Sequence, residues 1–254
     1  MLAAPIQPDS PARPRPAKSL LRATGAAIAD YAMIQPRDRV LLGLSGGKDS
    51  LSLLHVLLHL HDKSPVRFEL AAATVDPCID GFDPSFLQDY VPALNIRFYY
   101  RRQDIVGRAL KTMRGDSFCA YCSRMRRGIL YATAREYGYN VLALAHHLDD
   151  LAETFLMSAF YGGSLRTMKA HYRNDAGDLR IIRPFVYVRE RQTADFACRA
   201  GLPTIMDNCP ACFRVPSQRM QMKRLLSEQE KTHKKIFSSI LTAIKPLMSD
   251  NFQE

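Results

Sequence analysis

The chain has 254 residues, and its 35 Lys and Arg against 25 Asp and Glu give a formal charge of +10 at pH 7. That length accommodates one α/β domain with appendages, and the cationic excess points to a polyanionic partner. A membrane-spanning protein is not expected, because no uncharged apolar run approaches the ~20 residues required, and Leu51–Leu60 is interrupted by His55 and His59.

Residues 1–18 are rich in proline and read as a disordered arm. They lack the apolar core of a signal peptide, so a cytoplasmic location is expected. Leu20–Tyr31 has helical spacing, and Arg39–Leu44 is a first apolar strand that breaks into Ser45-Gly46-Gly47-Lys48-Asp49-Ser50. A helix is expected from about Ser50 to His61, capped by Ser50 or Asp49. A second strand, Arg67–Val75, ends at Asp76; a short helix over 85–93 and a third strand, Asn95–Tyr100, follow. Phe118–Tyr137 reads as a helix, Asn140–Ala145 as a fourth strand and Asp149–Phe160 as a helix after the turn His146-His147-Leu148. Leu179–Val188, interrupted by Pro184, is a fifth strand, and Glu190–Ala200 a helix closed by Gly201 and Pro203. Pro216–Leu247 reads as one basic helix. The domain plan is therefore an arm over 1–18, a core domain over 19–215, and a C-terminal helix and tail over 216–254.

Strands alternating with helices predict a doubly wound, mostly parallel five-stranded sheet. Ligands of such sheets sit beyond the carboxyl ends of the strands, where the glycine loop, Asp76 and the turn carrying His147 and Asp150 all fall. Gly46 and Gly47 permit a sharp turn that gathers backbone N–H groups at a helix start, a phosphate-binding arrangement. The loop is not a Walker A sequence, since Gly47-Lys48 is followed by Asp49 and the earlier glycine is missing. An aspartate inside a phosphate cradle needs a cation beside it, so Asp49 points to Mg²⁺ accompanying a nucleotide, with Asp150 as a second carboxylate ligand.

Cys119-Ala-Tyr-Cys122 and Cys209-Pro-Ala-Cys212 have the spacing of metal-binding thiolates, and spacing alone leaves Zn²⁺ and an iron–sulfur cluster both open. Cys78 and Cys198 have no partner at that spacing, and Cys198 is expected in the core. Nine basic residues between Arg97 and Arg127 face only Asp104 and Asp116. Tyr99, Tyr100, Phe118 and Tyr121 lie among them, a composition suited to unpaired nucleic-acid bases. Arg124, Arg126 and Arg127 are its candidate RNA contacts.

With these residues placed, the chain resembles the PP-loop pyrophosphatase superfamily, whose Ser-Gly-Gly-x-Asp-Ser signature is matched by Ser45–Ser50. The cysteine pair leading into Ser-Arg-Met-Arg-Arg-Gly, the His-His-x-Asp-Asp-x-x-Glu-Thr turn, Phe160-Tyr-Gly-Gly163, Ile182-Arg-Pro184 and the second pair are similar, in order, to the tRNA 2-thiocytidine synthetase (TtcA) family. The resemblance runs from about residue 20 to 225. It implies that ATP adenylates the C2 oxygen of an anticodon-loop cytidine, releasing pyrophosphate, and that sulfur then displaces AMP. It further implies catalytic roles for Lys48, Asp49 and Cys209, and ATP contacts from Ser45, Gly46, Gly47, Lys48, Asp49, Ser50, Asp76, His147 and Asp150. A [4Fe-4S] cluster on Cys119, Cys122 and Cys209, with Cys212 at the remaining position, also follows from it. So do a tRNA substrate, a sulfur donor (a cysteine desulfurase persulfide or free sulfide) and a homodimer. The second pair is followed here by Phe213-Arg-Val-Pro-Ser-Gln, where the family typically continues Gly-Ser-Gln-Pro.

Overall fold

A computed structural model describes residues 13–79, 81–112, 118–205 and 217–249, without the side chains of 110–112 and 118–119. Six strands form one sheet: β1 (Arg39–Gly43), β2 (Glu69–Asp76), β3 (Arg97–Arg102), β4 (Val141–Ala143), β5 (His171–Arg173) and β6 (Arg180–Ile182), in the order β3-β2-β1-β4-β6-β5. All neighbours run parallel except β5, which pairs antiparallel with β6 at the edge. Parallel strands covered on both faces need apolar side chains in both directions, which is why the middles of β1, β2 and β4 are made almost wholly of Val, Leu and Ala.

The sheet holds one strand more than the five expected. His-Tyr-Arg carries no apolar run, so β5 is invisible to a search for buried strands; it is an edge strand set by its pairing to β6. The strand expected over 179–188 contracts to Arg180–Ile182, because Pro184 cannot donate to a ladder and the chain turns there.

The helices are α1 (Lys18–Asp30), α2 (Lys48–Lys63), α3 (Leu87–Ala93), α4 (Ile105–Thr112), α5 (Phe118–Glu136), α6 (Leu148–Gly162), α7 (Glu190–Arg199), α8 (Gln218–Thr232) and α9 (Ile236–Ile244). The two-residue period of β1 divides the core. Val40 and Leu42 pack with α1, α2, α6, α7 and α9 on one face, while Leu41 packs with Leu130 and Ala134 of α5 and Ile105 of α4 on the other. Every residue of α2 from Ser50 to Leu58 is buried, which fixes the glycine loop rigidly above the sheet.

The segment expected as one C-terminal helix is two. A straight helix over 218–244 would be about 40 Å long, nearly twice α6, against which both halves pack. The turn at His233–Lys235 folds α9 back so that Phe237 and Ile244 join the core. Two smaller expectations also fail. Gly47 caps α2 without a side-chain bond, because the Ser50 hydroxyl donates to the Gly47 carbonyl instead and Asp49 is engaged elsewhere. Cys198 is exposed, lying in the last turn of α7 on the side away from Phe196 and Ala197.

Candidate functional site

The loop after β1 is held by its own hydroxyls. Ser45 N–H donates to Ser50 Oγ at 3.2 Å, Ser50 Oγ donates to Gly47 O at 3.0 Å, and Gly47 N–H donates to Ser45 Oγ at 3.3 Å. Gly46 sits at φ +83, a conformation that favours glycine, and a Cβ there would lie 2.4 Å from Ile205 Cδ1 and force that side chain to shift. Ile205 N–H in turn donates to Gly46 O at 2.9 Å, tying the loop to the segment that follows α7.

Lys48 Nζ donates to Asp49 Oδ2 at 2.9 Å and Glu190 Oε1 at 3.1 Å. Burial works against its charge, but these two carboxylates outweigh that and hold its pKa above the usual lysine value. Thr193 Oγ1 donates to the other oxygen of Asp49. Glu190 also meets Lys223 Nζ of α8 at 2.6 Å; although burial opposes its ionisation, the two lysines bring its pKa down to about 2. A continuous line of charge therefore runs from Asp49 through Lys48 and Glu190 to α8.

At the end of β4, His147 is the N-cap of α6. Its backbone N–H donates to Asp150 Oδ2 at 3.0 Å, and its Nδ1 accepts from Asp150 N–H at 3.3 Å, a capping box. His147 Nε2 lies 3.8 Å from Asp49 Oδ2, so this buried ring stands between the two carboxylates expected to hold Mg²⁺. The second oxygen of Asp150 accepts from Arg219 of α8 at 3.1 Å. Asp149 faces away, accepting from Arg189 Nε and from Glu190 N–H at 2.8 Å.

These elements wall a cleft of about 980 Å³ over the carboxyl ends of β1, β2, β4 and β6. It lies where β1 and β4, neighbours with opposite onward connections, make the switch point of a doubly wound sheet. Of the residues expected from sequence, Ser45, Gly47, Lys48, Asp49, Ser50, Cys122, Arg126, Arg127 and Asp150 all line it. Cys122 is buried in α5. The Arg126 guanidinium lies 5.5 Å from the centre of the Phe82 ring, stiffening the wall beside it. Gly46 and His147 form the backing behind these residues.

Asp76 does not reach the cleft. Its carboxylate accepts from Tyr100 Oη at 2.8 Å and Cys78 N–H at 2.9 Å, and Val75 and Pro77 form the wall in its place. Arg124 is exposed on α5 outside the cleft. Cys209 and Cys212 lie outside the described residues, as does the side chain of Cys119. Tyr99 and Tyr100, two of the aromatic residues among the basic run, are not a free stacking platform. Tyr99 stacks on Tyr137 with ring centres 4.1 Å apart, and Tyr100 is bound to Asp76, because β3 is an edge strand whose side chains close the end of the core.

Sequence reasoning passed over His146, Arg183, Glu190, Arg219 and Lys223. The neighbouring histidine in the same turn was the available signal for His146, and the Ile-Arg-Pro match was the signal for Arg183. The α8 cations carried none, since a basic helix looks like a solvated face.

A family model described as a PP-loop domain matches residues 18–225. Among curated proteins, the chain is 38% identical over 228 residues to a tRNA-cytidine(32) 2-sulfurtransferase of Geobacter sulfurreducens, covering 89% of each. It is 40% identical to the protein of that name from Methylococcus capsulatus, covering 90% of this chain and 79% of the other. Among solved structures, the U34-tRNA thiolase NcsA from Methanococcus maripaludis, determined with its [4Fe-4S] cluster, superposes with a TM-score of 0.74 at 24% identity over 91% of this chain and 78% of that one. That likeness establishes a shared fold.

Proposed function

Since this chain belongs to the PP-loop family that includes the tRNA-cytidine(32) 2-sulfurtransferases, we propose that it is an ATP-dependent tRNA sulfurtransferase. Its product is 2-thiocytidine at position 32 of the anticodon loop. The observation that carries this reading is the cleft itself, which gathers the glycine loop, Lys48, Asp49, Asp150, Cys122 and Arg127 around one space.

The chemistry requires a poor leaving group, a carbonyl oxygen, to be made a good one. The loop N–H groups and Lys48 bind the β- and γ-phosphates of ATP and stabilise charge on the departing pyrophosphate. Carboxylates supply the hard oxygen ligands that Mg²⁺ takes alongside phosphates, and Asp49 and Asp150 on either side of His147 fit that need. Cys119 and Cys122 are one helical turn apart on α5, and Cys122 reaches the cleft wall. That donor set fits a [4Fe-4S] cluster completed by Cys209, with Cys212 at the remaining position. Held by three thiolates, such a cluster supplies an open iron for the incoming sulfur. The sulfur donor is a cysteine desulfurase persulfide or free sulfide, and the working assembly is a homodimer in the cytoplasm. Among the described residues, no helix is long and apolar enough to cross a membrane.

Anaerobically purified protein is expected to be brown and, with tRNA, ATP, Mg²⁺ and sulfide, to yield 2-thiocytidine, AMP and pyrophosphate, read by nucleoside mass spectrometry and phosphate release. Cys119→Ser should lose the colour and the product while binding ATP as before; Asp49→Ala should keep the colour and lose the product. Full activity of a colourless, zinc-containing protein would overturn the cluster assignment. Pyrophosphate release without tRNA thiolation would overturn the substrate.

A further inference from the structure

Arg183 is 6% exposed and lines the cleft. Its Nε donates to His146 Nδ1 at 3.3 Å, its Nη1 donates to the Lys169 carbonyl at 2.5 Å, and its guanidinium lies 5.3 Å from the centre of the Tyr172 ring. Among the described residues, no carboxylate pairs with it. A buried guanidinium without a counter-charge is costly, and desolvation accordingly lowers its pKa. Such a cation at a cleft wall is what an anionic ligand would compensate.

The arginine also decides the state of His146. A guanidinium only donates, so Nδ1 must present its lone pair and Nε2 must carry the hydrogen. Burial, followed by the positive charges of Arg183 and Arg219, the neighbouring His147 and Arg127, pushes the pKa of His146 down to about 3. The ring is therefore neutral throughout the working range. It is a fixed N–H donor on the cleft wall, unsuited to serve as a general base near neutrality.

We propose that His146 and Arg183 form a second phosphate-oxygen site in the cleft, separate from the glycine loop, in which His146 donates Nε2–H and Arg183 supplies the charge. The inference rests on the reading that the loop holds the β- and γ-phosphates of ATP. Two ligands offer the required oxygen: the α-phosphate of ATP, and a phosphodiester of the acceptor tRNA. Within the same cleft as the pyrophosphate cradle, the site fixes one side of the phosphorus or of the acceptor strand during adenylation.

The test measures binding of pyrophosphate, AMP and tRNA, each separately, to the full-length protein and to Arg183→Met, His146→Phe and His146→Gln. Arg183→Met and His146→Phe should leave pyrophosphate affinity unchanged and weaken either AMP or tRNA roughly 10- to 100-fold, the range for one hydrogen bond to a charged group. A loss confined to AMP assigns the α-phosphate. A loss confined to tRNA, with the salt slope of binding reduced by about one, assigns the phosphodiester. His146→Gln keeps an N–H donor and should bind within a few-fold of the parent. Parental AMP and tRNA affinity in both variants would overturn the proposal, as would His146→Gln failing as completely as His146→Phe. Equal losses for all three ligands with a lowered melting temperature would show a structural role and overturn it as well. If the parent protein fails to bind pyrophosphate while Arg183→Met still weakens tRNA, the reading of the loop falls and this site stands.

Discussion

Glu153 shows how far a single position in α6 departs from ordinary behaviour. It lies behind the capping box, 4% exposed, where burial and then the negative charge of Asp150 raise its pKa to about 7; Arg219 Nε, 3.8 Å away, offsets only part of this. A carboxyl whose folded pKa exceeds its unfolded value binds its proton more tightly in the native state. Its contribution to stability is therefore fully present below the model-peptide value of 4.5 and is lost as pH rises through about 7. Glu153→Gln cannot ionise and escapes that loss. In metal-free buffer its melting temperature relative to the parent should climb between pH 5 and pH 8, by an amount on the order of 1 kcal/mol, or ~2–4 °C for a chain of this size. A difference independent of pH would mean that Glu153 is ionised throughout.

At the scale of elements, the start of α7 joins four helices through one side chain. Arg189 Nη1 and Nη2 donate to the two oxygens of Glu230 in α8 at 2.8 and 3.0 Å, its Nε donates to Asp149 of α6, and its guanidinium lies 3.2 Å from the centre of the Phe237 ring of α9. Lysine would keep the charge but lose the fork and the flat face. Arg189→Lys should destabilise the protein by about 2 kcal/mol. Amide exchange should accelerate over 218–244, leaving β1, β2 and β4 protected. Uniform acceleration across the sheet would show that α8 and α9 are not a separable layer. This is also where reading the sequence stops short. The central strands were legible because burial on both faces leaves mostly apolar residues in them, and the glycine loop because φ at Gly46 favours glycine. Arg189, Arg219 and Lys223 were not, since an arginine or lysine looks the same in sequence whether it is solvated or paired inside. The break at His233–Lys235 was equally hidden, being imposed by the length of α6 and by no proline or glycine. Only the cysteine spacing reported on the second half of the site, and it gave donor type without position.

For the whole molecule, the 35 Lys and Arg overstate the cations a polyanion meets, because several of them are already matched. Arg135 holds Asp178 at 2.6 and 3.0 Å, Arg39 holds Glu69 at 2.8 Å, and Arg101 pairs with Glu136. Arg127 differs, since it is exposed at the cleft. Counterion release ties the salt dependence of binding to phosphate contacts, about one unit of log–log slope for each. Arg127→Ala should therefore reduce the slope for tRNA by up to about one between roughly 50 and 200 mM salt. Arg135→Ala removes the same charge from a closed ion pair and should leave the slope unchanged. Equal effects from both variants would mean that tRNA responds to net charge alone. A selective effect places the RNA strand along α5, where Cys122 and Arg127 share the wall of a cleft that the nucleotide loop also lines.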